Sequence, residues 1–451
     1  MKTQIPDELI KALRGLPGFN ETEFISIHEK GEQVTSVRTN PFKPHSQFNS
    51  CSPVTWCENG YYLIERPSFT NDPLFHAGAY YVQEASSMFI GHILNSGTDV
   101  SKPLRVLDLC AAPGGKSTHL LSILSPGSLL LSNEVIRSRI TSLRENIVKW
   151  GCPNVIVTNN DPADLSVLEN YFDVILVDAP CSGSGLFRKD PEAISEWSEE
   201  SVKLCSSRQK RILEDVIPSL KKNGILIYST CSYSEEENEG IVDSLMRDGG
   251  FETISLPAEG NTIVRTISPG SKAIGYRFYP GKIKGEGFFA ACLRKISGGE
   301  DLIIKPRTLK SVTSTEEKLL AKWLHEPMRF VFQKHDDEFF MIRKDHTADL
   351  GLLQEHLHIR QAGTRMGKIK NNELIPDHAL ALSTELDTSC RKVDLTKENA
   401  LKFLKRIDLK LPGESPGWTL ACFEGLPLGW IKILTGRVNN YLPKELRILK
   451  Q

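Results

Sequence analysis

Along residues 104–228, short apolar runs alternate with longer stretches in which apolar residues recur every three or four positions. The runs Arg105–Leu109, Leu129–Asn133, Val155–Thr158, Val174–Val177 and Ile225–Tyr228 have the length and branching of buried strands. Between them, Lys116–Leu124, Arg137–Trp150 and Ser201–Leu220 carry helical spacing. This alternation predicts parallel βαβ units wound into an α/β, doubly wound sheet. Glu235–Met246 has helical composition, and Phe251–Ile254 with Phe288–Leu293 would close the sheet as a final antiparallel hairpin.

The flanks read differently. Leu9, Leu13 and Leu16 predict an amphipathic helix, Val34–Thr39 a strand, and Asn40–Pro53 a region of turns before the aromatic positions Trp56, Tyr61 and Tyr62. Gly298-Gly299 reads as a linker. Beyond it, Phe339–Ile342, Trp418–Phe423 and Gly429–Ile433 are strand-like pieces of one or two small mixed units. Three regions are therefore expected: an N-terminal α+β region over 1–100, a central sheet over 101–297, and a C-terminal mixed α+β extension over 300–451. Trp197, Trp418 and Trp430 are expected in cores rather than as stacking platforms for bases.

Composition narrows the class. A chain of 451 residues, 40% hydrophobic and 25% charged, is long enough for several cores. No run approaches the ~20 apolar residues of a membrane span, and the start lacks the pattern of a signal peptide, so a cytoplasmic protein is expected. The ten cysteines are scattered without a CxxC pair, which argues against both disulfides and a zinc site; no metal is expected. Net charge is −1, yet residues 301–451 hold 25 Lys/Arg against 20 Asp/Glu, a bias compatible with phosphate contacts.

Candidate chemistry gathers at strand ends, where open α/β sheets place ligands. In Val106-Leu-Asp-Leu-Cys-Ala-Ala-Pro-Gly-Gly-Lys-Ser117 a strand runs into a turn of small residues and opens a helix. Gly114 and Gly115 allow close backbone approach to a ligand. Glu134, at the end of the next strand, can accept both hydrogen bonds of a ribose diol. Asp161, after the third strand, can reach an adenine amino group. The turn could also be merely structural, or serve NAD, although its glycines do not follow GxGxxG. The fourth and fifth strands end in Asp178-Ala-Pro-Cys-Ser-Gly-Ser-Gly185 and Tyr228-Ser-Thr-Cys-Ser-Tyr233. Cys181 and Cys231 thus fall in polar settings unlike those of core cysteines. Paired thiols suit cytosine methylation: carbon-5 is too weak a nucleophile until a thiolate adds to carbon-6. Asp178 is suitably placed to stabilise charge near the ring nitrogen.

At these residues the chain resembles the NOL1/NOP2/Sun family of RNA 5-methylcytosine methyltransferases. DLCAAPGGK (Asp108–Lys116) looks like the family's donor loop; DAPCSGSG (Asp178–Gly185) and STCS (Ser229–Ser232) look like its two cysteine motifs. HAGAYYVQEASSM (His76–Met88) and GEGFF (Gly285–Phe289) are similar to further signatures. The resemblance implies a Rossmann-like methyltransferase sheet, with Cys231 as nucleophile, Cys181 assisting product release, and Asp178 touching donor and base. It implies S-adenosylmethionine as donor, held by Cys110, Ala111, Ala112, Pro113, Gly114, Gly115, Lys116, Glu134, Asp161 and Asp178. DNA cytosine methyltransferases use the Pro-Cys cysteine as nucleophile; cysteines in both places are the RNA arrangement. Phe187–Ser201 and the long extension look most like the family's bacterial 16S rRNA branch. Gly425–Arg437 is similar to a PUA-like RNA-binding module, and the first region to the family's N-terminal RNA-binding region. The expected partner is RNA, as 16S rRNA or the 30S subunit, met by a monomer. A tRNA cytosine methyltransferase, a non-catalytic ribosome assembly factor on the same scaffold, and an NAD-dependent oxidoreductase are the competing readings.

Overall fold

The computed structural model describes residues 5–247, 249–257, 262–304 and 312–449. At its centre is a ten-stranded sheet. Five parallel strands form its middle, in the order Leu220–Thr230, Phe172–Asp178, Arg105–Asp108, Leu129–Asn133, Val155–Thr158. Successive residues of these strands feed two cores. Val106, Leu130, Leu176 and Ile227 pack with Phe89, Ile93, Leu120 and Leu143 on one face. Leu107, Leu131, Ile175 and Leu226 pack with Ile212, Leu213, Val216 and Ile241 on the other. Burial on both faces explains the near-continuous apolar runs.

The expected antiparallel pairing of Phe251–Ile254 with Phe288–Leu293 is present, within a more elaborate edge. Phe288–Lys295 runs antiparallel to Leu220–Thr230, but its far side is shared. Phe251–Thr253 pairs with one half of it and Ile274–Phe278 with the other; Val264–Ile267 follows as the outermost strand. Its own sequence, Val-Arg-Thr-Ile, is too short and polar to stand out as a strand.

At the opposite edge, Ile359–Ala362 pairs antiparallel with Val155–Thr158. This strand lies beyond the Gly298-Gly299 linker, so a piece of the C-terminal extension completes the central sheet. Ile342, Leu350, Leu353 and Leu357 accompany it into the second core.

The N-terminal region is α+β: helices Asp7–Leu13 and Glu21–Lys30 precede a four-stranded sheet ordered Ser52–Val54, Cys57–Leu63, Thr35–Thr39, Tyr80–Val82. Leu9, Leu13 and Phe24 pack against Phe187, Trp197 and Tyr233 of the central region. The C-terminal extension holds two further four-stranded sheets, Phe330–His335 with Glu338–Arg343, Thr364–Lys370 and Glu373–Pro376, and Lys392–Asp394 with Gly417–Phe423, Leu426–Leu434 and Arg437–Asn440. Trp197 and Trp430 are buried. Trp418 departs from expectation: it is half-buried, with Tyr441 4.4 Å away edge-on and the Lys432 ammonium 4.9 Å from its ring centre. It packs at the margin of the core that encloses Trp430, on the neighbouring strand of the same sheet.

Candidate active site

Pairing of the fourth and fifth strands creates the site. Asp178 stands opposite Ser229 in parallel register, and the ladder continues through Ala179, whose N–H donates to the Ser229 carbonyl at 2.8 Å. Cys181 and Cys231 follow within three residues of these positions, and their Sγ atoms lie 3.1 Å apart. Each loop is stitched to the GEGFF segment. Gly185 donates to the Cys231 carbonyl at 2.8 Å and accepts from Gly287 at 3.1 Å. A Cβ on Gly185 would sit 2.5 Å from the Gly287 carbonyl oxygen, so only glycine fits there.

The hydrogen bond with Cys231, burial, and the nearby Glu237 carboxylate together push the Cys181 thiol well above its ordinary range. Cys181 therefore keeps its proton, within hydrogen-bonding distance of the Cys231 sulfur.

Asp178 carries two bonds on its two oxygens: Oδ1 accepts from Ser229 Oγ at 2.8 Å and Oδ2 from Lys116 Nζ at 2.7 Å. Burial opposes the charge on Lys116, but attraction and the hydrogen bond to Asp178 outweigh it and hold the ammonium above its usual value. The lysine of the glycine turn thus points at the cysteine strands.

The turn itself can take a nucleotide-type donor. Gly114 sits at φ +109°, a conformation open to glycine, and Gly115 begins the helix Gly115–Ile123. Beneath it, Asp108 accepts from Ser117 Oγ at 2.7 Å, while its other oxygen is buried without a partner. Burial pushes the Asp108 carboxyl up to about 7. Cys110 lies in the turn two residues beyond the strand, its thiol raised by burial and by the neighbouring carboxylates. The Ala111 N–H donates to the Asn133 carbonyl at 2.8 Å, fixing Ala111, Ala112 and Pro113 against the next strand. The orphaned Asp108 oxygen and the open glycine backbone fit a polar donor.

Glu134 and Asp161 sit at adjoining strand ends but are differently disposed. Glu134 is buried; its carboxylate accepts from the N–H of Ala112 at 3.3 Å and of Ile136 at 2.8 Å, and Arg139 approaches it at 3.5 Å. Asp161 is exposed and caps the Ala163 N–H at 3.1 Å.

Three supporting residues escaped the sequence reading. Arg38, fully buried, donates to Gln83, Thr118, Ser122 and the Gly115 carbonyl, so the N-terminal sheet grips the helix that opens at the glycine turn. A lone arginine in Ser-Val-Arg-Thr-Asn gives no signal for this. Glu84 accepts from the N–H groups of Ser86, Ser87 and Glu286, which joins the VQEASS and GEGFF motifs. Glu237, one of the acids at the start of the helical stretch Glu235–Met246, is fully buried between the two cysteine loops, and nothing in a run of acids singles it out. Among the described residues no cluster of His, Cys, Asp and Glu could hold a metal ion.

Comparison with known proteins converges on one group. The family model for 16S rRNA methyltransferase RsmB/F matches residues 99–294. That for the N-terminal domain of 16S rRNA methyltransferase RsmF matches 5–85, and that for the methyltransferase RsmF PUA domain matches 390–448. Ribosomal RNA small subunit methyltransferase F of Shewanella baltica (strain OS155) is 30% identical over 420 residues, covering 87% of this chain and 84% of that protein. Its namesake in Shewanella piezotolerans is 29% identical over 419 residues, covering 87% and 85%. Among solved structures, a methyltransferase homolog from Pyrococcus horikoshii is 29% identical, with a TM-score of 0.51 over 64% of this chain and all of that one. NSun6 from Pyrococcus horikoshii, solved with SFG, shares the fold at 22% identity and a TM-score of 0.54, covering 66% of this chain and 100% of its own.

Proposed function

Because the chain belongs to the RsmB/F family of 16S rRNA methyltransferases, we propose that it methylates carbon-5 of a cytosine in 16S rRNA. S-adenosylmethionine, when bound, supplies the electrophilic methyl group. The observation that carries the chemistry is the thiol pair, Cys181 and Cys231, 3.1 Å apart beside the Lys116–Asp178 ion pair.

In this reading Cys110, Ala111, Ala112, Pro113, Gly114, Gly115 and Lys116 cradle the donor, with Asp178 at its reactive end. Glu134 would hold the ribose hydroxyls and Asp161 the adenine amino group. The target cytosine leaves its stack to expose carbon-6. The Cys231 thiolate forms a bond to carbon-6, and the displaced ring electrons make carbon-5 nucleophilic. The ring nitrogen takes up the proton that Cys231 gives up, and the Asp178 carboxylate, braced by Lys116, accepts its hydrogen bond and stabilises the protonated ring. After carbon-5 is methylated, its proton passes to water and the carbon–sulfur bond breaks, the bonding pair returning to the Cys231 sulfur. Cys181 hydrogen-bonds the departing sulfur with the proton it has kept.

Residues 5–85 and the PUA region are proposed to bind RNA around the target. The working unit is proposed to be a monomer. Among the described residues no helix is long and apolar enough to cross a membrane, and ribosomal RNA as substrate supports a cytoplasmic site of action.

The test uses labelled S-adenosylmethionine with 30S subunits, 16S rRNA or bulk tRNA, and denaturing gels for covalent adducts. Wild type should label 16S rRNA or 30S subunits, Cys231→Ser should label nothing, and Cys181→Ser should trap an adduct. Label confined to tRNA would move the substrate. Donor binding without transfer to any of these RNAs would return the protein to the role of an assembly factor.

A further inference from the structure

Glu237 touches both cysteine loops. Its side chain is fully buried, and one carboxylate receives four hydrogen bonds. Oε1 accepts from the Ser182 N–H at 2.8 Å and from Gln209 Nε2 at 3.2 Å. Oε2 accepts from Ser182 Oγ and from Ser232 Oγ, both at 2.5 Å. Ser182 follows Cys181 and Ser232 follows Cys231, so a single group holds the residue after each thiol. The residues before the thiols are tied to the same place. Gln209 also donates to the Pro180 carbonyl at 3.0 Å. Asn238 accepts from Thr230 Oγ1 at 2.6 Å and donates to the Ser232 carbonyl at 2.8 Å.

A carboxylate is suited to this post because its two oxygens offer about four lone-pair positions to four donors. Bonds to an ionised acceptor are short and strong, as the two serine contacts are. Burial pushes the Glu237 carboxyl above its ordinary range, and the hydroxyl and amide donors offset only part of that shift. Fold stability alone gives no reason to converge on the two flanks of two cysteines fifty residues apart.

We propose that Glu237 is a positioning residue that sets the spacing of the Cys181 and Cys231 thiols, and through it the nucleophile's approach to the base. The inference rests on the proposed function only for its consequence in catalysis; the spacing is measurable without RNA.

The probe is phenylarsine oxide, which condenses with two close thiols: two S–H bonds and the As=O bond give two As–S bonds and one water. Full-length protein is treated, digested and mapped by mass spectrometry. Wild type should carry one arsenic across Cys181 and Cys231. Glu237→Ala should bridge roughly tenfold more slowly, and its kcat for methyl transfer should fall on the order of 100-fold from misplacement of the nucleophile, with KM for RNA and donor binding unchanged. Glu237→Gln should restore bridging, because its carbonyl can take the Ser182 N–H and Gln209 while the serine hydroxyls turn to accept from the amide. Should Glu237→Ala fail to fold, Ser182→Ala and Ser232→Ala each remove one arm, and each should slow bridging. Unchanged bridging in Glu237→Ala or in both serine variants overturns the proposal, as does a wild type that methylates without bridging. A wild type that bridges but methylates no cytosine overturns the proposed function and leaves the positioning role standing.

Discussion

Lys116 and Asp178 meet at 2.7 Å, 62 residues apart in sequence, and the contact joins the glycine turn to the strand that ends in the first cysteine loop. Both side chains are largely covered, so their interaction is screened less than a surface pair would be. Acting as a unit, they should fail as a unit. Lys116→Met and Asp178→Asn should each lower methyl transfer on the order of 100-fold, and the double variant should lose little more than either alone. Single-turnover rates for the three proteins decide the point; additive losses would show that the two residues work separately.

Arg277 and Glu239 form a second, deeper pair. Arg277 also donates to the Tyr233 carbonyl at 2.6 Å, just beyond the Cys231 loop. Removing one member leaves a buried charge unmatched, which costs about 3–5 kcal/mol. Arg277→Met should therefore shift the urea midpoint markedly downward, and adding Glu239→Leu should recover part of the loss. Equal midpoints for Arg277→Met and wild type would contradict this.

Acid should weaken the fold through its covered histidines. Burial, with the charges of Lys149 and Lys43 adding to it, depresses His378 from 6.5 to about 3. Burial likewise takes His28 and His76 to about 4. A depressed pKa contributes stability above the unfolded value of 6.5 and loses it as pH falls toward the folded value. Asp108, raised by burial to about 7, works in the opposite direction: its stabilising effect fades as pH rises from 3.8 toward 7. The histidine contribution is isolated by difference. Between pH 6.5 and 4, wild type should lose up to about 1.4 kcal/mol per pH unit more than His378→Gln. Parallel stability curves for the two proteins would refute the assignment.

Ending the chain after Gly299 should damage the central sheet. That truncation removes Ile359–Ala362 from its edge and Ile342, Leu350, Leu353 and Leu357 from its second core. The expected outcome is a lower melting temperature and association through the bared edge, seen by calorimetry and light scattering. A truncated chain as stable and monodisperse as the whole would show that the extension merely leans on the sheet.

Much of this architecture is legible in the chain because strand, turn and helix signals agree at the places where chemistry gathers. DLCAAPGGK, DAPCSGSG and STCS each end an apolar run, and the parallel register then brings Cys181 to Cys231. What could not be read depends on contacts between distant segments. Glu237 lies in a run of acids whose exposure decides its meaning, and exposure is not written in the run. Arg-Gln-Ala after Ile359 has no apolar alternation, because an edge strand with partial cover needs none. Lys116 belongs to the glycine turn by sequence, and only the fold reveals that it reaches Asp178.

The edge strand at Ile359–Ala362 also bears on how this protein is made. A ribosome releases the chain from its N-terminus, and domains ordinarily fold as they emerge. Here the strand Val155–Thr158 must wait some two hundred residues of synthesis for its outer partner. Through that interval the nascent chain carries an open edge strand, with two strands between it and the one that leads into Cys181. A pause in translation or a holding chaperone should matter more between residues 160 and 360 than anywhere else along the chain.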